Sequence, residues 1–252
     1  MKRVYHANYA CYGIRKMWHE LKQQGTRIGR DQVARLMRSA GLRGATRQRK
    51  VRTTIPAPAA ALAPDLVRRR WSRDAPDVVW VTDFTYVPTS SGWVYTSFLQ
   101  DAYSRFILGY TISFSMSSKL VLSVVEQAVS TRKRRDPTFT AQGVICHSDH
   151  GSQFTSLAFG RKLIEHGLNA SMGSVGSAYD NALMESTIGL YKAELIYPQQ
   201  RVWTSRQEVE TATTAWVRWF NHKRLHSAID YLSPATFEDA YHQTLALPRQ
   251  AA

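Results

Sequence analysis

The sequence predicts a mixed α/β core held between two helical regions, and three observations support this. From Val78 onward the β-rich runs VVWVTDFTYV, WVYTSFLQDA and RFILGYTISF follow one another with few residues between, as in an antiparallel meander. Beyond them, short apolar runs alternate with segments of helical periodicity, giving the order β-β-β-α-β-α-β-α, a mixed sheet flanked by helices. The third observation is the distribution of charge. Residues 1–73 carry 18 Lys and Arg against Glu20, Asp31 and Asp65, whereas residues 74–252 carry 15 basic and 16 acidic side chains. That places a polyanion-binding module beside a near-neutral body, nucleic acid being the commonest such polyanion. At 252 residues, 44% hydrophobic and 11% aromatic, the chain is globular rather than disordered.

In chain order, Ile14, Met17, Trp18 and Leu21 recur at helical spacing within Tyr12 to Gln24, with Gly25 as the stop. A second helix over Arg30 to Ala40 has Val33, Leu36, Met37 and Ala40 as its stripe and Gly41 at its end. Two short helices joined by a few residues make a helix-turn-helix candidate over residues 1–43. Arg30, Arg35 and Arg38 lie off the apolar stripe, where they meet phosphates or base edges if the pair binds DNA. Residues 44–73, basic and rich in Pro and Ala, read as a linker.

Residues 74–198 form the predicted core. After the meander, KLVLSVVEQAVSTRK suits a helix, GVICHSD a short strand, Ser156 to His166 a helix, Leu168 to Met172 a strand, and Asn181 to Ile196 a helix. Residues 199–252 are predicted to be helical. Ser205 and Glu208 stand at capping-box spacing, and Ser233 with Pro234 opens a last helix through Tyr241. Cys11 and Cys146 form no disulfide framework, and no run reaches the roughly 18 apolar residues of a membrane span. A reducing cytoplasm is the expected compartment, with no membrane association.

Three acids stand out. Asp83 sits inside a strand, where Asp is poorly suited. Asp149 follows the apolar strand VICHS and precedes Gly151, so its carboxylate projects from a strand end. Glu185 lies on a helix beside the core stripe of Met184, Ile188, Tyr191 and Leu195, in line with Gly189 and Lys192. Asp83 and Asp149 are separated by 65 residues (84–148), and Asp149 and Glu185 by 35 (150–184). Converging carboxylates repel unless cations neutralise them, and oxygen-only ligands suit hard ions, Mg²⁺ or Mn²⁺. A pair of such ions serves phosphoryl transfer.

WVTDFTYV, FLQDAYSRFILGY, HSDHGSQF and GSAYDNALMESTIGLYKAELI together resemble the integrase-type catalytic core of bacterial insertion-sequence transposases, specifically the second-reading-frame product of the IS-three family. The 35-residue gap and Lys192 seven positions beyond Glu185 match that family's signature. YGIRKMWHELKQQG through RLMRSAGLRG resembles its helix-turn-helix region, and WFNHKRLHSAIDYLSPATFE its C-terminal tail. The resemblance implies a ribonuclease-H-like core that nicks element ends and joins the freed 3′-OH to another strand by direct transesterification. It implies that Asp83, Asp149 and Glu185 hold two Mg²⁺ or Mn²⁺ ions per site and that Lys192 contacts DNA near the reacting phosphate. Its implied partners are double-stranded DNA (terminal repeats and target), further copies of the chain in a synaptic complex, and a first-reading-frame protein, separate or fused. Its implied place is the bacterial cytoplasm at the nucleoid. Ser177 and His150 stand where relatives often have an acid and an Arg.

Other residues have simpler readings. Asp101 is either an acid behind Asp83 or a turn residue; Asp180 and Asn181 read as a helix N-cap. GSVGSAYD reads as a loop that closes over DNA, and the run Arg132 to Arg135 as phosphate contacts or a solvated loop. His222 and His226 have metal spacing on a helix but lack further ligands. A retroviral-type integrase is disfavoured because the first residues hold too few cysteines for a His₂Cys₂ zinc module and the last ones read as helical. A structure-selective nuclease of the same fold and a non-catalytic DNA-binding regulator are the alternatives.

Overall fold

The computed structural model describes residues 1–46, 63–68, 70–149, 154, 157–173, 181–198 and 201–246. Three short helices come first: α1 (Lys2–Ala7), α2 (Ile14–Gln23) and α3 (Arg30–Ser39). The first was not legible as a helix, being six residues long. Gly25 and Gly41 end α2 and α3 in the left-handed region (φ 80° and 67°), which lets Thr26 N–H and Leu42 N–H turn back to Leu21 O and Met37 O at 2.9 Å. Met17, Leu21, Val33 and Met37 are buried as the stripes predict, but Ile14 is 41% and Leu36 39% exposed. Each helix buries a narrow face, because a pair of helices covers less than a full apolar arc.

The core is a five-stranded sheet in the order β3-β2-β1-β4-β5. Its strands are β1 (Val79–Thr89), β2 (Gly92–Asp101), β3 (Ile107–Ser113), β4 (Ile145–Ser148) and β5 (Asn169–Met172). The first three form the antiparallel meander, while β4 runs parallel to β1 and β5 parallel to β4. Pro88 is tolerated in this central strand because β4 pairs only with Val79 to Val81.

Helix α4 (Ser118–Arg135) and α5 (Leu157–Glu165) cover one face, burying Val121, Val124, Val125, Phe159 and Leu163 with Trp80 and Cys146. Helix α6 (Ala182–Tyr191) covers the other, packing Met184 and Tyr191 with Val79, Val81 and Phe98. The expected helix to Ile196 changes at Lys192 into a π-helical turn, Lys192–Ile196, in which Tyr197 N–H bonds Lys192 O at 2.9 Å.

Helix α7 (Arg206–His222) starts at the expected cap, where Ser205 Oγ accepts from Glu208 N–H at 3.2 Å. The return arm differs from a capping box: the Glu208 carboxylate takes Thr204 N–H at 2.8 Å, and this bond, with Arg201, holds its pKa down to about 2. Helix α8 (Pro234–Ala246) runs past the expected end at Tyr241, with Ser233 Oγ accepting from Thr236 N–H. Between them the chain is not helical. It makes a 3₁₀ turn, Ser227–Ile229, so His226 lies off the helix that ends at His222 and the two do not share a face.

The helical N-terminal region docks on this C-terminal part. Trp219 Nε1 donates to Asn8 Oδ1 at 3.1 Å, Leu225 N–H donates to the Tyr12 hydroxyl at 2.8 Å, and His19 stacks on Tyr231 at 3.7 Å. Most of the expected linker lies outside the described residues. Its final part packs on the core, with Val67 buried and Leu66 N–H donating to Ser171 Oγ at 3.0 Å.

Candidate active site

The central strand decides which face its acid meets. Alternation sends Val79 and Val81 to the α6 face and Trp80 to the α4 face, so Asp83 follows the odd set toward α6. On β4, Cys146 belongs to the α4 face, and His147, on the other side, sets its ring edge-on to Trp71 at 5.4 Å. Val81 is level with His147 in the parallel register; Asp83 stands two residues further along β1, and Asp149 directly follows the end of β4. Adjacent strands lie roughly 4.8 Å apart. Both acids are partly exposed, and Phe84 N–H donates to Asp83 Oδ1 at 2.7 Å.

The helix that bears Glu185 is fastened beside β1 through Asn181. Asn181 occupies the N-cap position of α6 but makes no side-chain cap; its Nδ2 donates instead to Thr82 O at 3.2 Å, fastening the helix to the residue before Asp83. Glu185 N–H bonds Asn181 O at 3.0 Å, one turn into the helix. Met184 and Thr187 turn inward while Glu185 stays partly exposed. Asn181 Oδ1 is buried and meets no hydrogen-bond partner among the described residues.

Oxygen-only donors would fit a hard cation, to which Asp83, Asp149 and Glu185 would supply carboxylates. Among the described residues, which include Asp83, Asp149 and Glu185, no three His, Cys, Asp or Glu side chains are grouped closely enough to hold an ion. Lys192 follows α6 two turns after Glu185, its Nζ 4.7 Å from the centre of the Tyr86 ring. Arg30, Arg35 and Arg38 are exposed on α3. His150, Gly151, Ser177, Asp180 and the GSVGSAYD loop lie outside the described residues.

Two expectations change. Asp101 pairs across from Trp80, not Asp83, and is fully buried. Its carboxylate accepts from Tyr103 N–H, Ser104 N–H and Asp77 N–H, so it is a turn residue. Burial pushes its pKa up to about 6, against the pull of Arg132. The run Arg132 to Arg135 is neither a loop nor, at Arg132, a phosphate contact. It ends α4, and Arg132 is buried against Asp77 at 2.7 Å and Glu238 of α8 at 2.7 Å, with Arg135 also on Glu238 at 2.9 Å. The sequence offered no signal for this, because the partners lie 55 and 106 residues away.

Residues 73–178 and 166–234 match the integrase core domain family, and residues 1–50 match an HTH-like domain. A protein of Mycobacterium tuberculosis (strain CDC 1551 / Oshkosh), provisionally named the transposase for insertion sequence element IS986/IS6110, is 46% identical over 242 residues, 96% of this chain and 86% of that one. The transposase for insertion sequence element IS629 of Shigella sonnei is 44% identical over 245 residues, 97% of this chain and 79% of its own. The chain belongs to the insertion-sequence transposases. The transposase also shares its fold with a chain of the simian T-cell lymphotropic virus intasome, at a TM-score of 0.52 and 15% identity over 78% of this chain and 63% of that one. It is thus a polynucleotidyl transferase built on the expected ribonuclease-H-like sheet, with its HTH-like region at the start. No helix among the described residues is long and apolar enough to cross a membrane.

Proposed function

We propose that Asp83, Asp149 and Glu185 carry the transposase chemistry: 3′ nicking at element ends followed by direct transfer of the freed 3′-OH to a target strand. The observation behind this reading is the parallel pairing of β1 with β4, in which Val81 lies level with His147, two residues before Asp83 and Asp149 respectively, beside a helix that is pinned to Thr82 and bears Glu185. The three carboxylates hold two divalent ions, Mg²⁺ or Mn²⁺. Bound there, such ions activate the attacking oxygen and stabilise the leaving one. The chain's own part is positional: the sheet fixes two acids, Asn181 sets the helix that brings the third, and Lys192 holds a DNA phosphate beside them. Residues 1–43, through Arg30, Arg35 and Arg38, hold DNA, and residues 74–198 perform the reaction. Several copies act together across paired ends, with a first-reading-frame partner, separate or fused, contributing end recognition.

The test is Asp149→Asn assayed on doubly labelled element-end and target duplexes. Nicking and joining fall by more than about 100-fold, the range reached by losing mere supporting contacts at a metal site, while DNA affinity and thermal stability hold. Strand transfer retained in the variant refutes the assignment. Cleavage without joining by the parent protein, in the presence of Mg²⁺, marks a nuclease instead.

A further inference from the structure

Beside α6 lies a cleft of about 390 Å³ where the N-terminal helices, the core and the C-terminal segment meet. Its lining includes Lys16 of α2, Arg105 of the β2–β3 turn, Ser186 of α6, and Arg224, His226 and Ser227 after α7. No carboxylate lines it among the described residues. Glu194, the nearby acid, is engaged by Arg224 at 2.6 Å.

Arg105 is the unusual member. Its Nε and Nη1 are buried and meet no hydrogen-bond partner among the described residues. Asp101 attracts it electrostatically, but that carboxylate is occupied by three backbone N–H groups and lies 3.6 Å from Arg132. The Arg105 backbone is in the left-handed region, φ 68°, which a non-glycine residue adopts at some cost, and it is held there by Gln100 Nε2 donating to Arg105 O at 2.6 Å. Gln100 Oε1 in turn accepts from Thr187 Oγ1 at 2.8 Å, tying the turn to α6 two residues beyond Glu185. The left-handed turn thus sets a guanidinium with two unpartnered nitrogens at a cleft that also holds Lys16 and, among the described residues, no carboxylate. A charged guanidinium beside a lysine suits a phosphate, whose oxygens accept charge-assisted N–H bonds.

We propose that this cleft binds a phosphate group, with Arg105 as the principal contact and Lys16 on the facing helix as the second. Neither residue belongs to the acidic site, so the inference stands independently of which carboxylates are catalytic. Its two sources are a DNA phosphodiester, which would seat a strand beside α6, and a free phosphate anion.

The full-length protein, its Arg105→Gln and Arg105→Lys variants, and Lys16→Gln are melted with inorganic phosphate against chloride at matched ionic strength. Each is also titrated with a duplex across a range of salt. Phosphate raises the Tm of the parent and of Arg105→Lys but not of Arg105→Gln if the site takes the free anion. For a DNA phosphodiester, Arg105→Gln lowers the salt slope of duplex binding by about 0.9, one phosphate contact. Either result supports the proposal and names the source. Without phosphate, Arg105→Gln melts at or above the parent, because a buried unpaired charge has been removed; a purely structural arginine would give a lower Tm. Should Arg105→Gln fail to fold, Lys16→Gln carries both measurements. The parent's phosphate response and salt slope persisting unchanged in the variants overturn the proposal.

Discussion

Asn181 links the two halves of the candidate site. By type and position it reads as an ordinary helix cap, and the residue does stand at the cap. What sequence could not show is which backbone group passes within reach, and here Thr82 O does, so the amide binds across the sheet instead of along its own helix. Asp83 and Asp149 were legible for a simpler reason: an acid in or just after an apolar strand has no packing role to explain it. Asp101 has the same appearance and a different use, because its neighbours Tyr103 and Ser104 turn their N–H groups back on it. Asn181→Ala is expected to cost about 1 kcal/mol of stability, the net worth of one hydrogen bond. Strand transfer should fall further, by about 10- to 100-fold, since Glu185 loses its anchor. Chemical denaturation and a joining assay on the same preparation compare the two; a joining rate within twofold of the parent would remove Asn181 from the site.

At the scale of elements, periodicity located every strand and every helix of the core to within a few residues, because each buries one face. The π-helical turn after α6 was not visible, since Leu195 and Ile196 are apolar and a continued α-helix accounts for them equally well. Its consequence is Glu194. Together with Leu195 and Ile196 the acid is turned inward, where it meets the Arg224 guanidinium through Nε at 2.9 Å and Nη2 at 2.6 Å, both side chains nearly fully buried. The pair joins the end of the helix that bears Glu185 to the segment after α7. Long-range pairs of this kind leave no local trace in sequence, as Arg132 with Glu238 also shows. Breaking such a pair on one side strands a buried charge, so Glu194→Gln is expected to destabilise by about 3–5 kcal/mol. Glu194→Gln combined with Arg224→Met should recover much of that loss. Urea unfolding of the parent, single and double variants measures the coupling; single and double variants of equal stability would show that the pair contributes nothing.

The whole molecule differs from the modular picture that charge distribution evoked. The basic N-terminal helices are not set apart: Asn8, Tyr12 and His19 hold the C-terminal segment, and that segment holds α6 through Arg224. His226 sits at this junction, packed edge-on against Phe220 at 4.5 Å, with Arg224 Nη1 3.2 Å from its Nδ1. Burial, and then the positive charges of Arg224 and Lys16, push its pKa well below the usual 6.5. The folded state therefore keeps His226 neutral while the unfolded chain protonates below about 6.5, so the unfolded state binds more protons on acidification. The stability associated with a neutral His226 is present above that pH and is lost as pH falls. The slope approaches about 1.4 kcal/mol per pH unit, or up to about 2 kcal/mol between pH 6.5 and 5. Asp101 acts in the opposite direction: burial raises its folded pKa to about 6, so acidification relieves its cost. The parent's pH profile alone would mix the two. Subtracting the profile of His226→Gln cancels Asp101 and the exposed histidines, and the parent's advantage over the variant should shrink by up to about 2 kcal/mol on going from pH 7 to pH 5. Because this junction joins the helices proposed to hold DNA to the core, the same acid shift should loosen duplex binding in the parent more than in the variant. Parallel stability curves for the two proteins over that range would mean that His226 takes up its proton in the folded state as readily as in the unfolded one.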